Sequence, residues 1–154
     1  MVEAHPGTYT LLLRCALSRE LQIGRLGQLT FRSGFYLYVG SAFGPGGIEA
    51  RVGHHLKPVR RPHWHIDYLR PIVALDEIWY SYDRQRREHQ WADALVSLGT
   101  VIPHLGFGAS DCRCSSHLFF SPTRPSYTEF CQHIQTIWPD HAPIQLEPVR
   151  PAGR

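Results

Sequence analysis

At 154 residues, with 43% hydrophobic and 19% charged content, the chain suits one soluble globular domain whose core needs neither disulfides nor metals. The formal charge is only +3, so the balance is mildly basic; of the sixteen basic residues fifteen are Arg and one, Lys57, is Lys. Arg's planar fork suits phosphate and so nucleic acid, although a GC-rich coding bias would enrich Arg equally well.

No charged leader opens the chain, and no apolar run approaches the ~18 residues that would span a membrane. A membrane is therefore not an expected partner. The four cysteines, at 15, 112, 114 and 131, are expected to be reduced in an intracellular, cytoplasmic compartment.

Residues 7–16, "GTYTLLLRCA", alternate as a strand does, with Tyr9, Leu11, Leu13 and Cys15 on one face. The segment 21–33 has two glycines and short apolar pieces, which predicts a small hairpin. Residues 35–40 form a second main strand, and "AFGPGG" after it is a loop. A helix follows from about Ile48 to Leu56, since Ile48, Val52 and Leu56 recur every four residues.

"KPVRRPHWH", 57–65, interrupts with two prolines and carries Lys57, Arg60 and Arg61. Residues 73–82, "VALDEIWYSY", predict a third strand. Asp83 can cap a helix through about Leu98, with Trp91, Ala94, Leu95 and Leu98 as its apolar stripe. "GFGASDCRCSSHLFF" reads as a loop entering a short strand. Ser126 and Glu129 fit a capping box, opening a helix with Phe130, Ile134 and Ile137 inside. Residues 139–154 hold four prolines and read as a flexible tail, which leaves 1–138 as the single domain. The expected fold is α/β in the mixed, α+β sense: a small, mainly antiparallel central sheet flanked by helices.

Two constellations carry chemistry. In "GFYLYVGSAFGPGGIEARVGHHL", Arg51 and His55 are four apart on the predicted helix and share a face, with His54 beside it. The loop brings that helix near the end of the Tyr38 strand. A phenol, a guanidinium and an imidazole then converge on one anion, where Arg stabilises charge and Tyr or His moves protons. Aromatic packing under a helix with a solvated polar face explains the same spacing. The second constellation is Cys112-x-Cys114-x-x-His117, with His63 and His65 upstream in "HWHIDY". Zinc takes such ligands, but this Cys spacing is tight. The group could equally pack the loop, or serve with Asp111 as the outer shell of a pocket; a thiol paired with a His is a third reading.

"GTY" at 7–9 and "YVG" at 38–40, followed by Arg51, resemble the signature of the GIY-YIG nuclease superfamily. More narrowly, "YLYVGSA", "HWHIDYL" and "GFGASDCRCSSHLFF" together resemble a branch whose members occur alone or fused to endonuclease III-type DNA repair enzymes. The resemblance covers about residues 7–121. It implies the two tripeptides on neighbouring antiparallel strands, an Arg from the next helix and a metal-binding Glu on a later one, for which "REHQWADAL" supplies Glu88. It implies hydrolysis of nucleic acid, DNA before RNA, with Mg²⁺ or Mn²⁺ at Glu88. Tyr9 would help deprotonate water, Tyr38 would orient it, and Arg51 and His55 would stabilise the charge. Lys57, Arg60 and Arg61 would extend the contact to phosphates, and zinc is a candidate at the Cys/His group. The departures are Thr8 in place of Ile, a long connector between the tyrosines, His54 in place of a basic Arg, and no match to a late Asn. A binding or repair accessory module that keeps the fold without cleaving is the alternative. On its residues alone, Glu88 reads as a helix-start carboxylate paired with Arg84 or Arg87.

Overall fold

Residues 7–13 of the central strand are buried because both faces of the sheet are covered there. The computed structural model of the chain describes residues 1–108 and 116–150. Strand β1 (Gly7–Cys15) lies in the middle of a five-stranded sheet of order β6-β4-β1-β5-β7, in which every pairing is antiparallel. Its Tyr9, Leu11, Leu13 and Cys15 join one core cluster and Leu12 the other. A two-stranded ribbon follows, β2 (Arg19–Gln22) with β3 (Gln28–Phe31), the expected hairpin.

Strand β4 (Gly34–Ala42) returns beside β1, opposing Tyr38 to Leu11 and Gly40 to Tyr9. Helices α1 (Gly47–Leu56) and α2 (His65–Leu69) then pack on the first cluster through Ile48, Val52, Ile66 and Leu69. Strand β5 (Ala74–Ser81) pairs on the other side of β1. Helix α3 (Glu88–Ser97) covers the second cluster with Trp91, Ala92, Ala94 and Leu95. Strand β6 (Leu118–Ser121) edges β4, and α4 (Tyr127–Ile137) adds Phe130 and Ile134 beside α3. The fold is α+β, a five-stranded antiparallel sheet with four helices flanking it among the described residues.

Several expectations are corrected. Asp83 does not cap a helix: α3 begins at Glu88, five positions later. The Asp83 carboxylate instead accepts from the N–H of Gln85 and of Ala142, both at 2.8 Å, and pairs with Arg87 at 3.1 Å, which holds 83–87 as a turn. At α4, Ser126 does accept from the Glu129 N–H at 3.2 Å, but Ile137 is 50% exposed because the helix ends there. The loop 57–65 is followed by α2, a helix of five residues with too little length to show a period.

The stretch expected to be a loose tail is built into the fold. Strand β7 (Gln145–Pro148) pairs with the outer edge of β5, where edge strands tolerate proline. His141 is buried, and its Nε2 accepts from the Trp91 indole N–H at 2.9 Å. The folded unit therefore runs past residue 138.

Candidate active site

Three elements meet at one end of the sheet. Tyr38 on β4, Arg51 on α1 and Glu88 at the first position of α3 line a single cleft of ≈ 260 Å³, closed by Ser41, Trp64, Gly108 and His117. The expected loop between β4 and α1 turns the chain so that α1 presents Arg51 beside Tyr38. Glu88 arrives from the opposite layer because the 83–87 turn carries the chain over the sheet end. Among the described residues it is in no ion pair, since Arg87 binds Asp83 at 3.1 Å and Asp140 at 3.0 Å instead.

Tyr9 stands behind this cleft rather than in it. It is 1% exposed, and its hydroxyl lies 2.8 Å from Nε2 of His55. The strand register explains the placement. Gly40 is directly opposite Tyr9, and a Cβ at position 40 would collide with the tyrosine ring, so the glycine of "YVG" gives that ring its seat. Tyr38 lines the cleft, whereas Tyr9, expected to help deprotonate water, stands behind it with its hydroxyl beside His55 and within hydrogen-bonding reach of Arg51.

The electrostatics follow burial. Desolvation raises the Tyr38 pKa; Arg51 opposes that, while Asp67 and Glu88 add to it. Desolvation also raises Tyr9 well above the ordinary phenol value, with a further push from Tyr38. Both phenols are protonated at neutral pH. Burial lowers His55 to about 3, helped by His54, so its imidazole is neutral. Its Nδ1 is buried without a hydrogen-bond partner among the described residues.

A second tier surrounds Arg51. The guanidinium carbon sits 4.6 Å from the centre of the Trp64 ring. Asp67, nearly inaccessible, accepts from the N–H of His63 at 2.8 Å and of Trp64 at 2.9 Å, and its other oxygen meets His54 Nε2 at 2.9 Å. Desolvation works against the Asp67 charge, but these donors win and hold its pKa below the ordinary value. One donor atom each from His54, His55 and Asp67 falls within 4.8 Å of the others, a set able to hold a metal. Sequence reasoning passed over Asp67 and Trp64 as site residues. Their only signal was position in "HWHIDYL", since a Trp and an Asp three apart look like ordinary helix-start packing.

The second constellation is only partly brought together. Cys112 and Cys114, with Asp111, lie outside the described residues. His117 lines the cleft, buried, and burial lowers its pKa against the pull of Glu88. His65 Nδ1 accepts from the Gly108 N–H at 2.7 Å, and Gly108 also abuts His117 and Tyr38. His63 is exposed, its ring against Trp64. Lys57, Arg60 and Arg61 are exposed and, with His54, line an adjoining hollow of ≈ 410 Å³. No helix among the described residues is long and apolar enough to cross a membrane.

A protein-family model described as "Domain of unknown function DUF123" matches residues 8–138. No curated protein and no solved structure matches the chain.

Proposed function

The chain belongs to the DUF123 family, and from its cleft we propose that it hydrolyses phosphodiester bonds of nucleic acid, DNA in the first place, with a divalent cation at Glu88. One observation carries the reading: Tyr38, Arg51 and Glu88, from three separate elements, line the same cleft. The resemblance to GIY-YIG nucleases assigns phosphodiester chemistry to those positions.

The donor set fits a hard cation. Mg²⁺ is commonly held by one or two carboxylates and completed by water and phosphate oxygens, and Glu88 is a carboxylate free of ion pairs among the described residues. Such a cation would supply positive charge that neutralises phosphate and cancels the push of Glu88 on the Tyr38 pKa.

The residues divide the work by position. Arg51 directs N–H groups at the phosphate oxygens and stabilises the charge that builds there in the transition state. Tyr38, a protonated phenol, orients the attacking water through its hydroxyl. His55, neutral, hydrogen-bonds the Tyr9 hydroxyl through Nε2 and fixes that phenol behind the cleft. Lys57, Arg60 and Arg61 hold flanking phosphates, which contributes affinity without reading sequence.

The test is cleavage of branched, flapped, nicked and plain duplex DNA, and of RNA, with Mg²⁺ or Mn²⁺ and with chelator. Glu88→Gln, nearly isosteric, is expected to fold and to lose metal-dependent cleavage. Arg51→Ala is expected to fold and to lose about 10²–10³-fold in rate. Activity that survives both substitutions belongs to another site. Absence of cleavage on every substrate, with binding retained, makes the chain a binding module that keeps a nuclease-like fold.

A further inference from the structure

Arg51 lines the cleft without a carboxylate partner among the described residues, yet its guanidinium has a defined place, against Trp64 and within hydrogen-bonding reach of the Tyr9 hydroxyl. A carboxylate would hold it more tightly and would also occupy the N–H groups that phosphate needs. An aromatic face holds a guanidinium by its flat surface and leaves the in-plane donors open. Trp64 is placed for this. It lines the cleft, its ring lies 4.6 Å from the Arg51 guanidinium carbon, and the two residues also line the neighbouring hollow over α1.

Trp64 is itself held from behind. Its backbone N–H donates to Asp67 at 2.9 Å, and the His54 ring meets it edge-on at 4.5 Å. His54 is in turn tied to Asp67 at 2.9 Å. The chain of support runs from a buried carboxylate, through a backbone bond and an indole, to the one guanidinium shared by the cleft and that hollow.

We propose that Trp64 is a positioning residue for Arg51, holding the guanidinium by an uncharged face so that its donors beyond the one toward Tyr9 face phosphate, with Asp67 fixing the indole. The proposal rests on the phosphodiesterase reading of the cleft. Its consequence is a division of kinetic effects: loss of the indole face disorders Arg51 in the transition state, while the flanking cations still bind the substrate.

Two measurements test it, one of them independent of cleavage. The first is the Arg51 Nε–H resonance in a proton–nitrogen NMR spectrum of the whole protein, assigned by its loss in Arg51→Lys. In the wild type it is expected to be shifted upfield by the indole ring current. Trp64→Leu should abolish that shift and Trp64→Phe should keep part of it. A wild-type resonance at the position of a free arginine overturns the proposal, whether or not any substrate is cleaved.

The second is a cycle of Trp64→Leu and Arg51→Ala in the cleavage assay. Trp64→Leu is expected to lower kcat by at least about tenfold, as a cation–π contact and a displaced catalytic group commonly cost, with KM changed less than threefold. Trp64→Phe should recover part of the loss. In the Arg51→Ala background the Trp64 substitution should cost nothing further. Full additivity, or an effect confined to KM, overturns the proposal. If the wild type cleaves no substrate, the phosphodiesterase reading falls alone and the resonance decides on Trp64. If Trp64→Leu fails to fold, Trp64→Phe and the wild-type resonance carry the decision.

Discussion

His55 is a neutral imidazole in a place where a charged one would be unstable, and this ties the site to pH. Its folded pKa of about 3 lies below the ordinary 6.5. The folded state therefore has its full advantage above about 6.5 and loses it as the pH falls toward 3, because the unfolded chain takes up the proton first. His65, His117 and His141 are lowered in the same direction by burial, and Asp67, held below 3.8, adds its loss at still lower pH. His55→Gln should remove one proton from this linkage, flattening the stability curve by up to roughly 1.4 kcal/mol per pH unit between those limits. Urea titrations at a series of pH values measure it; an unchanged slope would mean that His55 is protonated in the folded protein. At this scale the sequence was informative about residue types and silent about depth. Tyr9 and Tyr38 carry the same side chain on adjacent strands and the same face. Only the seat over Gly40 and the covering His55 put one behind the cleft and leave the other in it.

Elements were legible where their period had room to repeat. Strands β1 and β4 and helix α1 show theirs over nine or ten residues. Helix α2 is five residues long and owes its start to the Asp67 carboxylate, a contact no pattern announces. The C-terminal segment misled in the opposite way. Its prolines suggest a tail, while the open edge of β5 and the hydrogen bond from Trp91 to His141 recruit it. This segment also bears on Glu88. Asp140 and the Ala142 N–H clamp the Asp83–Arg87 turn, one residue before Glu88. Removal of residues 139–154 should therefore lower thermal stability and, in the same protein, weaken metal-dependent cleavage; a truncated chain with unaltered melting and activity would show the clamp to be incidental. The loop after α1 is read through salt. If Lys57, Arg60 and Arg61 meet phosphates, Arg60→Ala with Arg61→Ala should weaken binding to all sequences alike. Each lost contact should reduce the slope of log affinity against log salt by about 0.9 on duplex DNA. An unaltered slope would make this an ordinary solvated loop.

For the whole molecule, the resemblance implies β1 beside β4, as found, but the rest of the sheet order was beyond reach of a linear reading because its neighbours lie far apart in the chain. The cleft depends on that order: it needs β4 beside β1, α1 over one face and the start of α3 arriving from the other. What the sequence did supply was the set of groups that would have to meet. The sheet has a further consequence for how the protein is made. Strand β1 is made before the other strands of its sheet and is the innermost of them, flanked by β4 and β5. Its partners are synthesised only after the hairpin, and in the case of β5 after two further helices. Until then "TYTLLL" is an apolar strand with both edges open, the kind of segment that pairs with whatever strand it meets. Such distant pairing makes for slow folding. The nascent sheet therefore carries an association-prone stretch until β4 and β5 have been made, and β7, which follows the sheet's other strands in the chain, pairs with the outer edge of β5.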